Sequence, residues 1–237
     1  MAGSCAEYGN NLQIPSMAVT KASLREKYRR ILSRETGVIK KDPGGRLPVA
    51  IVYPNSYRIG MSNLGVHQLY RLLNTDPGSM AERFFYEGAN QPVISLESFA
   101  PLAEFGLAAF SVSYELDYFH IPQILRSAGI PVYSVDRDDG VPLMIAGGAC
   151  IMANPAPLIP FFDCLAIGEA EVLLPQIIKT VRESGRRRCE QLKALAEVPG
   201  ILVPRYSASM PAAKRLKRPP TSTTSPLASM ISRAACS

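Results

Sequence analysis

Histidine is scarce in this sequence and cysteine is scattered. Only His67 and His120 occur, and the 5 cysteines (Cys5, Cys150, Cys164, Cys189 and Cys236) form no CxxC or CxxxC pair. That spacing argues against a disulfide framework and against a zinc or iron–sulfur site within the chain. A reduced, cytoplasmic setting fits it best. No apolar run reaches the roughly 18 residues of a membrane span. The first residues, MAGSCAEYGNNLQIPS, lack a basic start followed by an apolar block, so no secretory leader is expected. GxGxxG and Walker motifs are absent, which removes the strongest cases for NAD and ATP. Ser111 and Ser113 have no histidine base nearby in the sequence, which argues against nucleophilic hydrolysis.

Positive charge is plentiful but unevenly placed. The net charge of +6 comes from clusters at Lys21 to Lys41, Arg186 to Arg188 and Lys214 to Arg218, all outside the apolar centre. No aromatics interleave these clusters, so nucleic acid is not the expected partner. Solvated helix faces and tails explain them better.

Hydrophobic residues make up 47% of the chain, enough for one buried α/β domain with extensions. Leu47 to Tyr53 is a continuous apolar strand. A helix follows, capped by Ser62 or Asn63, with Val66, Leu69, Tyr70 and Leu73 on one face. Arg83 to Tyr86 reads as a short second strand, Glu97 to Glu104 as a loop or short helix, and Leu107 to Val112 as the third strand. A helix with Pro122 in its first turn ends at Gly129. Ile130 to Val135 reads as an edge or extra strand. Leu143 to Ala146 and Cys164 to Ile167 are two more apolar runs, each ending in glycine. Helices are expected over Val172 to Val181 and Cys189 to Val198, then a short extended piece from Ile201 to Pro204. Alternating strands and helices of this length predict a doubly wound, mostly parallel sheet. Its centre should be Val49–Val52, Ala108–Val112, Leu143–Ala146 and Leu165–Ile167, because continuous apolar runs suit strands buried on both faces.

Two strands that end in glycine (Gly147 and Gly148, then Gly168 followed by Glu169 and Glu171) point to a ligand-binding edge, since glycine permits a sharp turn and close approach. Glu169 and Glu171 do not share a helix face and read as helix N-terminal carboxylates, or as contacts to a domain outside this chain, rather than an acid/base pair. His67 reads as a surface or packing residue, His120 as a residue at a helix start, and Glu115 and Asp117 have no identifiable partner.

The chain divides into a leader with a basic helix (1–46), an α/β domain (47–207) and a tail (208–237). The helix begins at Ser16 or Thr20 and runs through Arg34, with Leu24, Tyr28, Ile31 and Leu32 on its apolar face. The tail is rich in Pro, Ser, Thr and basic residues, has no strand or helix pattern, and is expected to be disordered.

The segments YPNSYRIGMSNLGVHQLYRLLN, ERFFYE, SLES, FSVSYEL, GIPVYSVDRD, LMIAGGACIMANPAPLIPFFDCLAIGEAE and AEVPGILVPRYS occur in this order. Together, over roughly Leu24 to Ser207, they resemble the N-terminal portion of an uncharacterised group of radical SAM proteins. Those carry a B12-binding-like Rossmann domain ahead of a radical SAM barrel. The resemblance implies a flavodoxin-like sheet and an enzyme that uses S-adenosylmethionine and a [4Fe–4S] cluster held by a CxxxCxxC motif. This chain has no such motif, so catalysis is expected to reside in a barrel outside it. A frameshift or truncation near Ala208 would account for the change of composition there.

The resemblance also implies cobalamin as a cofactor. Ser111, Ser113, Gly147, Gly148, Gly168 and Glu169 match the family's rim and are the implied cofactor-binding residues. The DxHxxG motif that supplies an axial imidazole is missing, because the loop after the first strand reads Asn55-Ser56-Tyr57-Arg58-Ile59-Gly60. Cobalamin would then be held without a protein histidine ligand. The rival reading is a degenerate Rossmann-like interaction domain without cofactor, whose partner is the barrel or a separate protein. A basic RNA-associated module is a weaker third.

Overall fold

A computed structural model describes residues 20–89 and 91–206. The expected leader up to residue 19 and the expected disordered tail lie outside the described residues. In chain order the elements are α1 (Lys21–Leu32), β1 (Leu47–Tyr53), α2 (Tyr57–Gly60), α3 (Leu64–Thr75), β2 (Ser79–Phe85), β3 (Leu107–Ser111), α4 (His120–Ser127), β4 (Leu143–Gly147), α5 (Ala149–Ala153), β5 (Cys164–Ala166), α6 (Ala170–Glu183), α7 (Arg188–Ala196) and β6 (Ile201–Leu202).

The sheet runs β2-β1-β3-β4-β5-β6. The first five strands are parallel and β6 joins β5 antiparallel. The expected central strands are neighbours in parallel register, Val49 opposite Leu107, Leu107 opposite Leu143 and Ile145 opposite Cys164. Their unbroken apolar character follows from burial on both faces. Ala50, Val52, Ala108, Phe110, Met144 and Ala146 meet α4, α5 and nearby 3-10 turns. Val49, Ile51, Leu107, Leu143 and Ile145 meet α3, α6 and α7. The fold is therefore α/β and doubly wound.

Capping matches the sequence. Thr20 Oγ1 accepts from Ser23 N at 3.2 Å to start α1, and Asn63 Oδ1 accepts from Gly65 N at 2.8 Å to start α3. Leu24 and Tyr28 are the buried residues of α1, which joins Tyr53, Val66, Phe85, Ile94 and Leu96 in a third apolar cluster.

Two strands differ from expectation. β2 is longer than Arg83–Tyr86 and pairs with β1 along all 7 residues, every one buried. Glu82 and Arg83 disguise it in the sequence, yet both lie inside. Glu97 takes the place of a missing neighbour strand. Its carboxylate accepts from Arg83 N at 2.8 Å and from Arg83 Nε at 2.7 Å, while Arg83 Nη1 bonds Glu35 and the guanidinium stacks 4.4 Å from the Tyr70 ring centroid. An edge that would otherwise template pairing is closed by charge. Conversely, Ile130 to Val135 is not a strand. Pro131 has no N–H to give a ladder, and a 3-10 turn follows at Ser134–Asp136. Arg137 takes the free carbonyls, donating to Pro131 O at 2.9 Å, Val132 O at 2.9 Å and Phe161 O at 2.7 Å.

Candidate functional site at the carboxyl edge

The chain leaves β1 towards β2 on one side and returns to β3 on the other. The gap between the carboxyl ends of β1 and β3 is thus the topological switch point, where open α/β sheets leave a crevice. The loops that flank it are polar. Asn63 Nδ2 donates to Ser113 Oγ at 3.0 Å, joining the cap of α3 to the end of β3. Asn55 Nδ2 donates to Asp117 Oδ1 at 2.8 Å. Asp117 is 1% exposed, and its Oδ2 is buried with no hydrogen-bond partner among the described residues. Burial pushes the carboxyl up from its ordinary value, opposed by the Asn55 hydrogen bond and the His120 charge.

His120 lies beside this carboxylate, its Nδ1 3.6 Å from Asp117 Oδ1 and 2.6 Å from Pro54 O. A carbonyl can only accept, so Nδ1 carries the proton and Nε2 is the imidazole's open nitrogen when neutral. The ring stacks on Tyr86 at 4.5 Å between centroids. The Tyr53 hydroxyl is buried beside Ser113 and Asn63 without a hydrogen bond of ordinary geometry, and burial pushes it up. An unpaired buried polar group costs about 1–3 kcal/mol, so two at one strand gap mark a place where packing is not the only constraint.

The residues singled out in the sequence divide into two groups. Ser111 and Gly147 are register partners at the ends of β3 and β4, and Ser111 is buried. Ser113 faces the switch point through Asn63. Gly148, by contrast, has φ +114°, and a Cβ there would stand 2.6 Å from Val112 O. Val112 N donates to Gly147 O at 2.9 Å and Cys150 N to Val112 O at 3.3 Å, so main chain fills the gap between β3 and β4. Gly168 packs on Leu173, 3.2 Å from an added Cβ, and Glu169 is the N-cap residue of α6. Glu171 in the first turn accepts from Gln68 Nε2 of α3 at 3.3 Å. The glycines after β4 and β5 thus serve chain packing. Beside Gly148 the space between β3 and β4 is closed by main chain.

Sequence reading missed Asp117, His120 and Asn55. The signal was available in the i, i+3 spacing of Asp117 and His120, but Asn55 is remote in sequence and joins only through the fold. His67 has the local role expected, with Nε2 2.9 Å from Met61 O on the surface. Among the described residues, no group of three or more His, Cys, Asp or Glu is placed to hold a metal ion, and no helix is long and apolar enough to cross a membrane.

The carboxyl edge carries exposed apolar side chains. Leu64 is 83% and Leu116 76% exposed, joined by Tyr114, Phe119, Met152 and Val172. All lie in segments that follow the carboxyl ends of β1, β3, β4 or β5. Scattered apolar residues are normal on a surface, and these share one edge of the sheet.

Comparison with known proteins agrees with the segments quoted above. The family model described as the N-terminal region of radical SAM proteins matches residues 65–204, more than half of the chain. An uncharacterized protein of Methanocaldococcus jannaschii is 31% identical over 123 residues, which is 52% of this chain and 24% of that protein. The chain thus spans about a quarter of that relative's length. No solved structure matches it. The matched range runs from α3 to β6 and covers four of the five parallel strands: the chain belongs to the family of radical SAM N-terminal domains.

Proposed function

We propose that this chain is an accessory domain of a radical SAM protein whose carboxyl edge packs against the catalytic barrel. The exposed apolar set at the carboxyl edge carries this reading. Leu64 and Leu116 are the most exposed large apolar residues described, and each stands at the start of a loop or helix beside the polar crevice. A barrel seated there would remove that surface from water and enclose Asp117 and His120 at the junction. In this reading S-adenosylmethionine and the iron–sulfur cluster belong to the barrel. A barrel from a family member, supplied as a separate chain, should co-elute with this domain in gel filtration. Leu64→Asp with Leu116→Asp should abolish co-elution. Independent migration of the unaltered pair would overturn the reading.

Cobalamin at the carboxyl edge is the second reading. The two unpaired buried polar groups at the β1/β3 gap favour it, and a tail entering there avoids the closed β3/β4 contact. Asn55, Asn63 and Ser113 would face it. Hydroxocobalamin mixed with purified protein should then stay with it through gel filtration as a coloured, stoichiometric complex. A colourless protein peak would leave the cofactor-free interaction domain.

A further inference from the structure

The opposite, amino edge of the sheet holds a cavity of about 750 Å³. Its lining includes the apolar Leu47, Phe105, Leu143 and Ile178 and four cations, Arg46, Lys179, Arg182 and Arg186. Among the described residues none of the four has a carboxylate within salt-bridge distance. Two of the three acids in the lining are already engaged. Asp76 Oδ1 accepts from Gly78 N at 2.6 Å, and Asp139 Oδ1 from Arg188 N at 2.7 Å. Glu183 is the third. Arg188, at the back wall, is committed to Asp163 at 2.6 Å.

Two local features hold the cations in place. Arg46 Nη1 donates to Asp42 O at 2.7 Å, and its Nε is buried without a partner among the described residues. The Arg182 guanidinium lies against Gly78, where any side chain would collide with it. Arg182 sits in the last turn of α6 and offsets that helix's partial negative charge; the other three cations lie outside that turn.

We propose that this cavity binds a phosphorylated small molecule with a ring or other apolar body, at a site separate from the carboxyl edge. Cations without carboxylate partners suit phosphate oxygens, which accept charge-assisted hydrogen bonds. The volume falls within the range of roughly 300–1,000 Å³ typical of small-molecule sites. The apolar residues of the lining suit the unphosphorylated part of the ligand, so a nucleoside diphosphate is a fitting probe.

Titration calorimetry of the full chain with ADP, pyrophosphate and adenosine tests this. ADP should bind saturably at one site, pyrophosphate more weakly, and adenosine not measurably. Lys179→Gln with Arg186→Gln, both on exposed side chains, should weaken ADP by at least about tenfold, as expected when charge-assisted bonds are lost. Added salt should weaken it further. Leu116→Asp at the far edge should leave ADP binding unchanged. No saturable heat with ADP or pyrophosphate at millimolar concentration would overturn the proposal. So would ADP binding that the double variant leaves intact. Binding of polyuridylate at many sites with no preference for ADP would reduce the cations to a general nucleic-acid surface and overturn it too.

Discussion

At the carboxyl edge of the sheet, Leu64 and Leu116 face water while Asp117 Oδ2 and the Tyr53 hydroxyl are sealed beneath without ordinary partners. At the amino edge a buried charge network is centred on Asp163. Asp163 Oδ2 accepts from Met144 N at 2.7 Å and Arg188 Nη1 at 2.6 Å, with Arg137 Nη1 at 3.5 Å. Arg188 also donates to Asp138 O at 2.8 Å, Val141 O at 2.8 Å and Pro142 O at 3.0 Å, tying α7 to the segment entering β4. At the amino edge this network holds the fold, beside the cations that line the cavity there. The other edge leaves polar and apolar groups uncommitted, as an edge reserved for contact would. Substitutions at the two edges should therefore separate stability from binding.

The largest effect on stability is expected from Asp163→Ala. It strands two buried guanidinium groups, one of which, Arg137, burial already pushes down to about 10, with Arg188 adding to that and Asp163 opposing it. Breaking a buried ion pair by removing one partner costs about 3–5 kcal/mol. Urea denaturation followed by circular dichroism should show a loss of that size. A loss below about 1 kcal/mol would mean that the network is no tighter than a surface pair, and the contrast between the edges would fail.

Gly148→Val should come next. The residue belongs to the carboxyl edge by position but to the fold by contact. Its φ of +114° and ψ of −178° lie in a region open to glycine almost alone. The added Cβ would meet Val112 O, a main-chain atom that cannot swing aside. Backbone strain and overpacking together should cost on the order of 3 kcal/mol. A variant of unchanged stability would show that the β3/β4 gap opens readily and could admit a ligand after all.

These two substitutions also show what the sequence made legible. The four central strands could be read directly, because burial on both faces leaves continuous apolar runs such as Leu47–Tyr53. The ends of α1 and α3 were legible through Thr20 and Asn63, since capping is local chemistry. β2 was obscured because its burial depends on Glu97 and Glu35, distant residues that neutralise Arg83. Ile130–Val135 was misread because the carbonyls of a proline-interrupted apolar run go to Arg137 rather than to a ladder. Gly148 shows the limit at the site. A glycine after a strand announces close approach, but only the fold says whether the approaching group is a ligand or Val112.

A smaller effect, of opposite sign, is expected from Asp117→Asn. Burial holds the folded carboxyl's pKa above its ordinary value, so the unfolded chain releases this proton first. Stability then falls as pH rises from about 4 through the folded value, and the penalty is complete above it. Asparagine has no such proton. The variant should therefore gain on wild type across that window and stay ahead at neutral pH. Parallel stability profiles for the two proteins would mean that Asp117 is ionised at no cost and that the crevice is already satisfied.

The smallest effect on stability should come from Leu116→Asp, and that small value makes it informative. Leu116 is 76% exposed, in a 3-10 turn between β3 and α4, so an aspartate there loses little packing. Surface substitutions of this kind usually change stability by no more than about 0.5 kcal/mol. The hydrophobic effect nonetheless gives a leucine about 1.5–3 kcal/mol when a partner buries it fully. A charge forced into that junction would cost more. Thermal unfolding of Leu116→Asp should thus overlay wild type, while co-elution with a radical SAM barrel weakens by at least about tenfold, equivalent to 1.4 kcal/mol. If the variant instead unfolds much earlier, Leu116 belongs to the core of this domain and the carboxyl edge is not reserved for a partner. If stability and association are both unchanged, the partner seats elsewhere, and the apolar set at the carboxyl edge has no part in holding it.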